Sequence, residues 1–269
     1  MATPNIEKVM HNALYDLGWM RWAGIEVQGP IIDTMIAAPL INENRRFYNL
    51  NSLAKEYLAE NKNEKMLRAA AAMYGVDPKS GMWRLPARFV GKYAEQDAAV
   101  TLRLWDRLRP EIIKEEVSSI FQLETDLLPV LFEMKTRGVR VDIDKAEQVK
   151  KDLKQREDLL LKEIKEETGI FVEPWVATSI AKAFDAIGVS YFRTENSKAP
   201  SFTKQFLSNH THPIAHKIVK LREFNKANTT FVETILQHSH NGRIHCDFNA
   251  LRSDDGGTVT GRFSSSNPN

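Results

Sequence analysis

Thr260-Gly-Arg-Phe-Ser-Ser-Ser-Asn-Pro-Asn269 packs one guanidinium, three consecutive hydroxyls and two side-chain amides into the end of the chain. Such donors and acceptors suit a polynucleotide backbone and a base edge better than the interior of a core. Just upstream, Arg243-Ile-His-Cys-Asp-Phe-Asn249 alternates as a strand does, and Asp254-Asp-Gly-Gly257 between the two reads as a turn.

Further back lie two long helical patterns. In the first, Asp144 and Glu147 have capping-box spacing, and Ala146, Val149, Leu153, Leu160 and Ile164 keep helical period to Gly169. The second starts near Pro213, a favourable first-turn residue, and carries Ile214, Ile218, Leu221, Phe231 and Ile235. Each rod is about 36 Å long at the helical rise. Residues 174–230, which run from the connection into the second rod, hold eight basic and three acidic side chains, whereas the whole chain is only +2. Two matched rods and a basic, hydroxyl-bearing middle predict an antiparallel arm with a polar tip. A helix precedes the arm, marked by Ile120, Leu123, Leu127, Leu128, Leu131 and Met134, with a kink expected at Pro129 and a stop at Gly138. Val139-Arg-Val141 reads as a short extended link.

Residues 1 to about 115 read as α/β material. Ile31-Ile-Asp-Thr-Met-Ile36 is a candidate buried strand, and a helix is expected from Val90 to Leu108, ending before Pro110. The 269 residues leave room for one large or two ordinary domains, and 42% hydrophobic with 27% charged residues is a globular composition. A single cysteine, Cys246, excludes an internal disulfide and a thiolate-rich metal cluster. No apolar run approaches a membrane span and no signal peptide is visible, so the cytosol is the expected compartment.

Two pairs in the first part point to chemistry. Asn12 and Asp16 stand one helical turn apart, and so do Tyr93 and Asp97. Phosphodiester hydrolysis by two metal ions needs clustered carboxylates and a group that holds the attacking water. Taken singly, such pairs are most often surface and core residues of a helix.

Together the pairs resemble the second and third motifs of DnaQ-like 3′–5′ exonucleases of the DEDD-tyrosine type. The Asp33-Thr-Met35 strand and the Tyr48–Leu58 helix share in the likeness. The resemblance implies Asp16 and Asp97 as metal-site carboxylates for Mg2+, Tyr93 as the phenol that orients water, Asn12 as a contact to the substrate strand, and a structural Asp33. Leu128-Pro-Val-Leu-Phe-Glu-Met-Lys-Thr-Arg-Gly-Val-Arg-Val-Asp142 resembles the start of the thumb in A-family DNA polymerases. Ser197-Lys-Ala-Pro-Ser-Phe-Thr203 sits where that family has its thumb tip, which implies phosphate contacts by Lys198, Ser201 and Thr203. The closing decapeptide is similar to the family's T-x-T-G-R-[LF]-S-S-S-[DN]-P-N segment. This implies Arg262 in the minor groove beside the primer end, with Ser264, Ser265, Asn269 and Asn249 on or near the DNA backbone. The Arg252–Gly257 insert is more similar to phage members, and Asp254 and Asp255 are expected to face solvent.

The expected fold class is therefore α/β plus mainly α. An incomplete RNase H-like exonuclease domain would occupy residues 1–115, and a helical thumb with the first strands of the palm residues 116–269. The chain reads as a fragment of a phage-type polymerase, acting in the cytosol of a bacterium or an infected host. The family's Asp-x-Glu motif is not found before His11, and no palm acids follow Asn269. Little or no exonuclease activity is expected of these residues alone. The implied partners are primer–template DNA, a single-stranded 3′ end, dNTP only together with the palm, and a complementary polymerase fragment, with no membrane. A free-standing DEDD exonuclease and a non-catalytic DNA-binding subunit of a split polymerase are the alternatives.

Overall fold

The computed structural model describes residues 1–60, 64–249, 251–252 and 256–268. The chain falls into two compact units, one formed by residues 1–138 with 246–267 and the other by residues 139–245.

In the first unit, strands β1 (Lys8–Met10) and β2 (Ile31–Asp33) pair in parallel, Val9 opposite Ile32. Helix α1 (Ala13–Trp22) joins them, as a parallel pair requires a crossover. Helices α2 (Thr34–Ile41), α3 (Leu50–Leu58) and α4 (Lys65–Met73) follow, and a 3-10 turn (Met82–Arg84) leads into α5 (Ala87–Lys114) and α6 (Ser118–Arg137). Ala13, Leu17, Ile32, Leu53, Leu104 and Leu108 meet in the core, and Trp105 stacks on Phe121 at 5.3 Å. Tyr48 is fully buried, its hydroxyl donating to the Asn42 carbonyl at 2.8 Å.

Several local expectations are corrected. The apolar run at Ile31 is a strand only to Asp33, because the Asp33 carboxylate accepts the Met35 N–H and starts α2. β1 was not foreseen; three residues are too few to show a period. Helix α5 does not stop before Pro110 but continues to Lys114, and α6 runs unbroken through Pro129. Each proline removes one helical hydrogen bond. Buried Leu108 and Ile112 on one helix, and Leu128 and Leu131 on the other, keep both helices in place.

In the second unit, β3 (Val139–Arg140) leaves Gly138, whose φ of 65° ends α6 as anticipated. Helix α7 (Ile143–Thr168) is capped by Asp142, which accepts the Lys145 N–H at 3.0 Å, so the cap is Asp142 and not Asp144. Then come α8 (Ala177–Ala186), the hairpin of β4 (Phe192–Arg193) and β5 (Pro200–Ser201), and α9 (Lys204–Asn209). Helix α10 (Pro213–Lys226) continues through a π-helical segment, Ala227–Val232, into α11 (Glu233–Gln237). This second rod is antiparallel to α7: Lys150 pairs with Glu233 near one end, and Lys217 with Glu163 and Glu167 near the other.

The tip of the arm is not merely polar. Phe184, fully buried, packs against Phe202 (5.0 Å), Tyr191 (6.3 Å) and His210 (6.0 Å), and the same core takes in Ile180, Leu207, Ile214 and Ile218. Arg222 stitches this core to its surroundings, donating to the carbonyls of Pro174 and Phe202 at 2.7 Å each while its guanidinium lies over Trp175.

The predicted strand at Arg243–Asn249 is in fact two. Strand β6 (Arg243–Ile244) pairs with β3 in the second unit, and β7 (Asp247–Asn249) pairs with β8 (Ser264–Ser266) in the first. The turn before β8 needs glycine: Gly257 has φ 89°, and a Cβ there would collide with the Leu251 carbonyl. Asp254 and Asp255 lie outside the described residues.

Candidate functional site

The first unit builds a cleft from two separate stretches of chain. At the end of β1, the buried Asp33 carboxylate accepts the backbone N–H of Asn12 at 3.0 Å, of Ala13 at 2.7 Å and of Met35 at 2.8 Å. This bracket holds Asn12 at φ 70°, a left-handed conformation that asparagine tolerates better than most residues. From there α1 starts with Asp16 in its first turn. His11 Nδ1 and Thr34 Oγ1 lie 2.8 Å apart and tie the same junction to α2. Helix α5 supplies Tyr93 and Asp97 one turn apart.

All four residues, Asn12, Asp16, Tyr93 and Asp97, line one cleft of about 1080 Å³, joined by His11, Tyr15, Met82 and Thr101. Lys8 also borders it, but its buried ammonium is turned to the carbonyls of Thr3 and Ile6. The cleft thus holds two carboxylates, a phenol and an amide, and these fit a hard divalent cation with oxygen ligands. Among the described residues there is no cluster of three or more metal-ligating side chains.

Burial raises the Asp16 carboxyl above the ordinary carboxylate range. Burial also raises Asp33, outweighing the pull of the three backbone N–H groups. Both acids hold a proton more firmly folded than unfolded. Their contribution to stability is therefore complete below the unfolded carboxylate range and is lost as pH rises through the folded values. The thermal midpoint of the first unit is expected to be higher near the unfolded carboxylate range, at about pH 4, than at neutral pH, and Asp16→Asn is expected to flatten part of that slope. Circular dichroism melts at constant ionic strength check this; a midpoint that climbs with pH overturns it. A bound cation favours the charged carboxylates and opposes the trend.

The β7–β8 hairpin orders part of the closing motif. The Asn249 amide lies 3.4 Å from the hydroxyls of both Ser264 and Ser266, and Ser264 Oγ also accepts the Gly257 N–H at 3.2 Å. Ser265, opposite Phe248, projects from the other face of the strand. Arg262 is exposed and makes no ion pair among the described residues. Only its backbone is tied, the Thr258 hydroxyl accepting its N–H and donating to its carbonyl. Asp247 anchors the hairpin to α6, accepting from Lys135 Nζ at 2.5 Å and from the Asn267 amide at 3.1 Å. Burial pushes the Asp247 carboxyl up, but Lys135 and Asn267 together hold it below the ordinary range. Asn269 lies outside the described residues.

At the arm tip, Lys198 is exposed at φ 54° in the turn between β4 and β5. Ser201 is half-buried in β5, and the Thr203 hydroxyl caps α9 by accepting the Phe206 N–H at 3.2 Å. Of the three, Lys198 alone presents a charge with no ion pair among the described residues. The Lys135–Asp247 pair and the Arg222–Trp175 contact went unread in the sequence. Their partners are distant along the chain, and no local period marks them.

Comparisons with known proteins bear on this geometry. Residues 1–113 match the family model of the 3′–5′ exonuclease of A-family DNA polymerases, and residues 143–269 match DNA polymerase family A. The chain is 37% identical to a DNA-directed DNA polymerase of Pseudomonas phage M6, over 96% of its own length and 40% of that protein. It is 31% identical to DNA polymerase DpoZ of Acinetobacter phage SH-Ab 15497, over 97% of its length and 46% of that protein. It is 28% identical to DNA polymerase I of Chloroflexus aurantiacus, over 100% of its length and 29% of that protein. The chain therefore spans less than half the length of these relatives. Its fold resembles the POL domain of Pol1 from M. smegmatis in complex with DNA primer-template and dNTP, with a TM-score of 0.77 at 21% identity, over all of this chain and 43% of that one. With the Asn12–Asp16 and Tyr93–Asp97 pairs lining one cleft and the Gly-Arg motif leading into a strand of serines, these matches make the chain a member of the A family of DNA polymerases.

Proposed function

We propose that the chain serves template-directed DNA synthesis with 3′–5′ proofreading, supplying part of the nuclease site and the surface that holds primer–template DNA. One observation carries the nuclease half: Asn12 and Asp16 from the α1 start, and Tyr93 and Asp97 from α5, line a single cleft. In this reading Asp16 and Asp97 hold Mg2+, which when bound supplies Lewis acidity at the scissile phosphate. Tyr93 orients the attacking water, and Asn12 holds the single-stranded 3′ end. Residues 1–115 form the nuclease part and residues 116–269 the thumb and palm start. Helix α6, which packs in the first unit, is counted with the thumb because it ends in Met134-x-x-x-Gly138.

In the DNA-holding half, Arg262 contacts the minor groove of the primer end, where acceptors recur in every base pair. Asn249, Ser264, Ser265 and Asn269 support it, and Lys198, Ser201 and Thr203 face phosphates from the arm tip. Use of dNTP belongs to the assembled polymerase, whether through the further length that the relatives possess or through a complementary fragment. A cytoplasmic site of action goes with this reading. Among the described residues no helix is long and apolar enough to cross a membrane.

The test is direct. Fluorescence anisotropy with a primer–template duplex is expected to show binding weakened about tenfold by Arg262→Ala, in line with the loss of one good base-edge contact. Lys198→Ala is expected to weaken binding evenly across sequences and to reduce the salt slope by about one counter-ion. Calorimetry with Mn2+ is expected to show binding abolished by Asp16→Asn and by Asp97→Asn. Unchanged duplex affinity in Arg262→Ala overturns the DNA-holding half, and unchanged cation binding in both acid variants overturns the nuclease half.

A further inference from the structure

Helix α1 carries Tyr15, Trp19 and Trp22 at positions i, i+4 and i+7, hence on one stripe. Their exposures are 59%, 56% and 82%, a large amount of aromatic surface left in water by so short a helix. Ring centroids lie 6.3 Å apart from Tyr15 to Trp19 and 5.8 Å from Trp19 to Trp22, both edge to face. The opposite side of the helix, with Ala13 and Leu17, is what the core uses. The stripe also begins at the site. Tyr15 lines the cleft beside Asp16, and it lines a second cavity of about 370 Å³ whose wall includes Lys135, Asp247, Asn249 and Ser266.

We infer that Tyr15, Trp19 and Trp22 form a stacking surface for unpaired bases of a single DNA strand whose 3′ end enters the cleft. The inference rests on the nuclease reading above and extends it to residues outside the cleft. Aromatic faces take any base, because every base has a π-face, and so bind single strands without reading sequence. Continuity with the cleft favours this occupant: a strand held at Asn12 and Asp16 leaves past Tyr15 and meets Trp19 next. The one cation on this helix, Arg21, is committed to Glu133 at 2.5 Å and Thr136 at 3.2 Å. The stripe therefore acts by stacking and not by releasing counter-ions.

Fluorescence anisotropy of an end-labelled oligothymidylate and of a labelled blunt hairpin duplex, each titrated with the chain, tests the assignment. Trp19→Ala/Trp22→Ala is expected to weaken single-strand binding about 30-fold or more, two stacked bases at about 1–3 kcal/mol each, with duplex affinity and the salt slope unchanged. Trp19→Phe/Trp22→Phe, which keeps the rings, is expected to recover most of the loss; both residues are exposed, so the fold is not at risk. Single-strand affinity equal to that of the parent overturns the inference. So does sedimentation velocity showing a parent that self-associates and an alanine variant that does not, since the stripe would then serve a second copy. If the alanine variant binds normally while Asp16→Asn still abolishes Mn2+ binding, the stacking surface falls and the nuclease reading stands.

Discussion

Asp33→Ala is expected to destabilise the first unit by about 3–5 kcal/mol, because one carboxylate satisfies three backbone N–H groups and alanine leaves them without an acceptor. The residue is only 4% exposed, so water cannot readily replace it. Asp33→Asn keeps the oxygen that serves Asn12 and Met35 but turns an N–H toward Ala13, and is expected to cost about 1–2 kcal/mol. The consequence reaches the site, since the same bonds hold Asn12 in its left-handed conformation and start α1 one turn before Asp16. Urea denaturation followed by intrinsic tryptophan fluorescence, with Trp175→Phe as background so that the signal comes from the first unit, measures the stability. Calorimetry with Mn2+ on the Asn variant, which stays folded, measures the site. If alanine lowers stability by less than 1 kcal/mol, the bracket does not organise this junction.

Phe184→Ala is expected to cost the second unit about 3–5 kcal/mol, the usual range for a phenylalanine removed from a packed core. Phe184 is fully buried and its ring packs on those of Phe202, Tyr191 and His210, so the cavity is walled by rings from three segments of the tip. Phe184→Leu, which preserves most of the apolar volume, is expected to cost clearly less. Limited proteolysis is expected to cut the alanine variant within residues 170–212 while residues 1–138 resist as in the parent. The turn that carries Lys198 should then lose its placement, with a smaller salt slope for duplex binding. Equal protease resistance in parent and variant would show that the tip does not depend on this ring.

The contrast between these two residues shows how much of the protein its sequence discloses. Asn12, Asp16, Tyr93 and Asp97 were legible as two pairs at helical spacing because that feature is local, whereas a structural Asp33 was implied only by the family resemblance. That both pairs face one cleft was not legible from spacing alone, since β1 and α5 are brought together only by packing around Leu17, Val100 and Leu104. Phe184 was passed over because a tip rich in lysine and serine looks solvated until Phe202 and Leu207 fold back onto it. The helix end at Pro110 was misplaced for a related reason. A proline's local cost is visible in sequence, whereas the burial that offsets it is not.

The amino-acid order by itself determined the family motifs, the caps at Gly138 and Gly169, the two matched rods and the paired amide, phenol and carboxylates at helical spacing. All of these depend on neighbours within a turn or a few residues, where backbone sterics and short hydrogen bonds decide. The tertiary structure alone decided that Asp33 brackets the start of α1, that Lys135 holds Asp247, that Arg243–Asn249 splits between two sheets, and that Trp19 and Trp22 stay exposed. Each of these joins or separates groups far apart in the chain. Their energies depend on what else is buried at the same place, and that quantity is set only when the whole chain has closed on itself.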